Sequence, residues 1–172
     1  MHKTDKWLRI AAAVLALALV VVVADSLRER IVNVGDTAPS FSVTTDRGTQ
    51  ISREEFKGKL LVVNFWATWC PPCISELPSL NAMAKNLAPK GVVVLGISVD
   101  HDEKAYKNFL QRFNLAFETS RDGEAAISSE YGTFKYPETY IITPDGKVVE
   151  KVIADRNWME PAILQRLEGY IK

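Results

Sequence analysis

Residues 60–76 read LLVVNFWATWCPPCISE. The first seven form a near-continuous apolar run, as expected of a strand covered on both faces. From Cys70 onward, Ile74, Leu77, Leu80, Ala84 and Leu87 recur at helical spacing. The stretch therefore predicts a buried strand, a short turn and a helix beginning at Cys70. Pro71 suits the first helical turn, where a missing N–H costs little. Cys70 and Cys73 are the only cysteines in the chain. Two intervening residues place them on one turn, close enough to bridge, and thiol–disulfide exchange needs a second thiol within reach to resolve a mixed disulfide.

Working outward, FSVTT at 41–45 and TQIS at 49–52 flank Asp46-Arg47-Gly48 and predict a hairpin. Ser52 with Glu55 resembles a capping box. Gly91 ends the cysteine-bearing helix, and VVVLGISV at 92–99 predicts a second buried strand. Tyr106, Phe109, Leu110 and Phe113 form the stripe of another helix, and Ala126, Ile127 and Tyr131 mark a shorter one over roughly 123–131. ETYIIT at 138–143 and KVVEKVI at 147–153 flank a Thr-Pro-Asp-Gly turn. A last helix presents Trp158, Leu164, Leu167 and Ile171 inward. The expected order is hairpin, βα, βα, α, ββ, α: an α/β domain with a parallel core and an antiparallel late hairpin.

The chain has 172 residues, 21 basic and 21 acidic, with formal net charge zero, so nothing points to nucleic acid as a partner. Two cysteines exclude a multi-disulfide framework, and a structural zinc site normally needs four Cys or His ligands. Ile74 removes the Cys-x-x-Cys-His signature of covalent haem. IAAAVLALALVVVVA at 10–24 is apolar without interruption, preceded by Lys3, Lys6 and Arg9. About 17–20 such residues suffice to span a bilayer, and the basic bias favours the N-terminus inside. Length and the lack of a helix-breaking region favour a retained transmembrane anchor over a cleaved signal with Val22 and Ala24 at its end. The expected organisation is 1–30 anchor or uncleaved signal, 31–40 linker and 41–172 folded domain.

Cys70 is the expected nucleophile. It precedes the helix, where unpaired N–H groups and the macrodipole favour an anion. Both intervening residues, Pro71 and Pro72, lack an N–H to offer its sulfur, and neither is basic. Only moderate thiolate stabilisation is expected, hence a stable disulfide and a reducing role. A purely structural disulfide is the competing use, but so short a loop constrains little unfolded-state entropy. Cys73 is the expected resolving thiol. Glu76 lies three residues on, on the same helical face, where burial would raise its pKa toward that of an acid–base group. A solvated helix glutamate is the alternative. His101 lies between Asp100 and Asp102, and Asp100 with Glu103 reads as a helix cap rather than a metal site. Trp69 is expected to be partly exposed for docking and Trp66 to pack in the core.

NFWATWCPPC, Pro78, YPET at 136–139 and the TPDGKVV hairpin resemble the thioredoxin-fold TlpA/ResA/CcmG (DsbE) group over about residues 35–171. The resemblance implies a three-layer fold with a mixed central sheet, an N-terminal β-hairpin and a helical insertion at about 120–132, preceded by one transmembrane helix. It implies an extracytoplasmic, membrane-anchored thiol–disulfide oxidoreductase with no cofactor. Clients would be disulfide-bearing proteins, such as apocytochrome c or copper-site assembly factors, with electrons from an integral-membrane thiol donor. Pro137 matches the family's cis-proline, and Trp69, Pro71, Pro72, Tyr136, Pro137 and Glu138 are the implied client-facing set. Glu138 either steers a partner or merely begins a strand. Glu76 matches an active-site glutamate of the ResA-like subset. Thioredoxin has an acidic residue where this chain has Asn64, so Glu76 is expected to take over proton handling. Two other functions compete. A peroxiredoxin would carry Thr or Ser three residues before its cysteine, whereas Thr68 lies two before Cys70. A Cu(I) chaperone of the Sco kind would carry Cys-x-x-x-Cys and a distant His.

Overall fold

In a computed structural model, residues 2–26, 31–56 and 58–171 are described. The chain forms two compact units, residues 1–30 and 31–172. In the first, helix α1 (His2–Ser26) contains a segment, Lys6–Val23, long and apolar enough to cross a membrane; a signal sequence has the same character. Residues 27–30, which follow the apolar helix, lie outside the described residues.

The second unit is built on the run at 60–66. Strand β3 (Leu60–Trp66) is buried at every position. It lies at the centre of a five-stranded sheet with β4 (Val92–Ser98), β5 (Glu118–Arg121), β6 (Glu138–Ile142) and β7 (Val148–Ile153), in the order β5-β4-β3-β6-β7. β3, β4 and β5 run parallel, while β6 and β7 are antiparallel to their neighbours. Alternate residues of β3 serve different layers. Leu60, Val62 and Trp66 join α2 (Pro71–Leu87), α3 (Glu103–Arg112) and α5 (Pro161–Gly169) in one core. Leu61, Val63 and Phe65 join the hairpin β1 (Ser42–Thr44) and β2 (Gln50–Ser52) and helix α4 (Ala126–Tyr131) in the other. Coverage of both faces is why β3 shows no apolar–polar alternation. This is the thioredoxin-like three-layer arrangement.

Three expectations need correction. Residues 31–40 are not a free linker. Val32 N–H donates to Tyr131 O, Gly35 N–H to Val148 O and Ala38 N–H to Gly146 O. Val32 and Ala38 are buried, so this polar-looking segment carries two apolar anchors that draw it onto the domain. Second, the material before α4 contains a strand. β5 pairs in register with β4, Leu95 to Glu118 through Ser98 to Arg121. Its sequence, ETSR, has no apolar residue; Thr119 and Ser120 are nonetheless buried, because the hairpin turn clasps the edge through Asp46 N–H to Thr119 O and Thr119 N–H to Asp46 Oδ1. Third, the cap of α3 is Asp102, which accepts from the N–H groups of Lys104 and Ala105. Asp100 is used elsewhere.

Candidate active site

The site is assembled at the C-terminal end of β3. Cys70 is the N-cap of α2, and Pro71 and Pro72 occupy the first turn, exposed. Cys70 and Cys73 form a disulfide with Cα atoms 5.3 Å apart, within the usual range. Cys70 is 5% exposed and Cys73 fully buried, so Cys70 is the more accessible sulfur. Cys73 N–H points to Cys70 Sγ at 3.2 Å, a donor the two prolines cannot supply. One cysteine thus provides the other with a backbone hydrogen bond.

Beside the disulfide, Trp69 is 61% exposed and meets the Tyr136 ring edge-on, with centroids 6.1 Å apart. The Tyr136–Pro137 peptide is cis, and Pro137 is buried. Glu138 departs from its client-facing expectation. It is 1% exposed, and its Oε1 accepts from the Tyr140 hydroxyl at 2.8 Å and Lys151 Nζ at 2.9 Å. The carboxylate is held inside by an inward strand position and a partly covered ammonium, which leaves the Glu138 side chain with almost no surface for a partner to touch.

Glu76 is 2% exposed. Its Oε1 accepts from Asn64 Nδ2 at 2.8 Å and its Oε2 from Trp158 Nε1 at 3.1 Å. Asn64 Nδ2 also donates to Thr139 Oγ1, which joins β3, β6 and α2. Burial pushes the Glu76 carboxyl above the ordinary range. The Trp158 and Asn64 hydrogen bonds and the Arg156 backbone favour the charged form and oppose that push, while nearby Asp155 adds to it. A carboxyl so placed has the character of an acid–base group. Asn64 thus lies against the acid expected to take over its role.

Asp100 is the residue whose position the sequence reading missed. It is buried at the end of β4 and accepts from the Thr68 N–H at 3.0 Å, the Thr68 hydroxyl at 2.6 Å and the Ser98 hydroxyl at 2.6 Å. The Trp-Ala-Thr-Trp-Cys loop is therefore tied to the neighbouring strand two residues before the nucleophile. Trp158 was legible as a core residue, and only the fold brings its indole to Glu76. Among the described residues, no three His, Cys, Asp or Glu side chains converge as a metal site.

Residues 34–151 match the AhpC/TSA family. The thiol-disulfide oxidoreductase ResA of Bacillus thuringiensis is 36% identical over 139 residues, covering 81% of this chain and 77% of that protein. ResA of Oceanobacillus iheyensis is 31% identical over 165 residues, covering 92% and 82%. The crystal structure of a thiol:disulfide interchange protein of the thioredoxin family from Chlorobium tepidum is 28% identical, with a TM-score of 0.69, covering 82% of this chain and 99% of that one. The chain thus belongs to the AhpC/TSA family and, within it, to the thioredoxin-fold thiol–disulfide oxidoreductases similar to ResA.

Proposed function

We propose that this protein reduces disulfides of client proteins on the extracytoplasmic side of a membrane, to which α1 anchors it. The observation that carries the reading is the asymmetry of the dithiol. Cys70 sits at the helix cap with the accessible sulfur, and Cys73 is fully buried three residues before the enclosed Glu76. In the reduced protein, the Cys70 thiolate attacks one client sulfur, and the other client sulfur leaves as a thiolate. The Cys73 sulfur then bonds to Cys70 and displaces the second client thiolate, its proton passing to Glu76. Two electrons go to the client, whose two thiolates take up protons from Glu76 and solvent, and the Cys70–Cys73 disulfide remains.

The reducing direction rests on sparse thiolate stabilisation: two prolines in the loop and one N–H on the Cys70 sulfur. Exposed Trp69 and half-buried Tyr136, which precedes the buried cis Pro137, form the surface beside the disulfide for an extended client chain. An integral-membrane thiol carrier returns the protein to the dithiol state. Apocytochrome c and copper-site assembly factors are the clients that the resemblance to the TlpA/ResA/CcmG group suggests. The basic residues Lys3, Lys6 and Arg9 before the apolar run support an orientation with the N-terminus inside.

Cys73→Ser in the full chain tests the function. Clients should accumulate as mixed disulfides through Cys70 and disappear when Cys70 is also replaced. Turnover of peroxide by the reduced protein at rates exceeding disulfide reduction would overturn the reading in favour of a peroxidase. Stoichiometric Cu(I) retention without disulfide reduction would overturn it in favour of a copper chaperone.

A further inference from the structure

The segment after β7 reaches both the client-facing edge and the buried acid. Ala154, at a left-handed φ of 87°, donates its N–H to Pro137 O at 3.0 Å. Four residues later Trp158 turns fully inward and places Nε1 on Glu76 Oε2. Its placement is clamped at the backbone. The Ser79 hydroxyl accepts from Trp158 N–H at 3.1 Å and lies within hydrogen-bond distance of Glu76 O and Arg156 O. The Arg156 guanidinium lies over the Trp158 ring, 5.2 Å from its centroid. A buried indole N–H needs an acceptor, and which acceptor the fold supplies is the informative point. Here the N–H is spent on one oxygen of a carboxylate, and Asn64 holds the other.

We propose that Trp158 is a positioning residue for the resolving step, acting through Glu76 on the proton that leaves Cys73. The inference rests on the reading of Glu76 as the proton acceptor. As the Cys73 sulfur bonds to Cys70, the mixed disulfide breaks and the client thiolate leaves with the electron pair. The Cys73 proton moves to Glu76 and from there to solvent or the departing thiolate. Trp158 fixes one carboxylate oxygen and, by donating to the charged form, keeps Glu76 ready to accept. The charged and titratable groups around Glu76 are Cys70 and Cys73 on α2 and Asp155 and Arg156 on the segment. β3 and β6 contribute the uncharged Asn64 and Thr139.

A symmetrical aromatic disulfide separates the two steps in the full chain held in detergent. Attack by Cys70 releases one coloured thiolate, and resolution by Cys73 releases the second. Trp158→Phe keeps an aromatic ring and removes the donor. The pH midpoint of the second phase should move upward by about one unit, with the first phase unchanged. In a Glu76→Gln background, Trp158→Phe should move it no further. If Glu76→Gln leaves the second phase unchanged, the reading of Glu76 fails. If Glu76→Gln alters that phase and Trp158→Phe does not, the role of Trp158 alone is overturned. A measurement on the unmodified chain covers loss of folding in the variant: the Trp158 indole N–H resonance should titrate with the Glu76 carboxyl carbon, and a flat indole resonance overturns the inference.

Discussion

The Asn64 amide donates to Glu76 Oε1 at 2.8 Å, joining the central strand to the helix that carries both cysteines. Among the described residues Asn64 Oδ1 has no hydrogen-bond partner, so the amide acts on Glu76 through its N–H. Burial raises the pKa of Glu76, and the Asn64 hydrogen bond opposes that rise.

Glu76→Gln should stabilise the protein more as pH rises. The folded carboxyl has a raised pKa. Its favourable contribution is fully present below the unfolded value of about 4.3 and is lost as pH rises through the folded pKa. Each unit of elevation is worth about 1.4 kcal/mol. The glutamine can accept from Trp158, while Asn64 turns its free oxygen to the new amide. Thermal melts of both proteins from mildly acid to mildly alkaline pH should diverge, with the variant higher on the alkaline side. Parallel curves would contradict the assignment.

Asp100→Ala should cost roughly 2–4 kcal/mol, because it strips the acceptor from three donors on two elements. Asp102→Ala removes a helix cap and should cost about 1 kcal/mol. Urea titrations of the two variants distinguish a loop tether from a cap. The Asp100 variant alone should also slow disulfide exchange, since the loop before Cys70 loses its anchor.

Lys151→Met should cost about 3–5 kcal/mol by leaving the Glu138 carboxylate buried without its cation. Replacing both partners by apolar residues should recover most of that loss. Client KM should stay unchanged in the folded double variant, because Glu138 has no exposed surface. A client-specific rise in KM would return Glu138 to the docking surface.

Pro72→His should lower the Cys70 thiol pKa by about one unit, since it adds a backbone donor and a cationic side chain beside the sulfur. The disulfide should become correspondingly more oxidising. Thiolate absorbance against pH and equilibration with a glutathione buffer measure the two effects. An unchanged thiol would remove the paired prolines from the argument for a reducing role.

Much of the architecture was legible because burial leaves a local trace. The unbroken run of β3 reflects cover on both faces, the 3–4 spacing of α2 reflects one buried stripe, and Gly146 at φ 84° marks the late turn. β5 left no such trace. Its buried Thr119 and Ser120 satisfy themselves through Tyr106, Asp46 and the Thr44 carbonyl, partners remote in sequence. Residues 31–40 looked like a tether because only Val32 and Ala38 anchor them, too few to form a pattern. Asp100 and Asp102 both sit ahead of α3, and composition cannot say which of them turns to the helix and which to Thr68.

Local sequence is enough to read the dithiol, its place at the start of a helix after a buried strand, the paired prolines and an apolar leader of membrane-spanning length. Each is a property of neighbouring residues, where spacing and side-chain chemistry suffice. Tertiary structure alone decided that Glu76 meets Asn64 and Trp158, that Glu138 faces Lys151 and Tyr140, and that Asp100 holds the active-site loop. Those contacts join residues on different elements, and the free energy of a polar side chain depends on whether folding brings it a partner in a place without water.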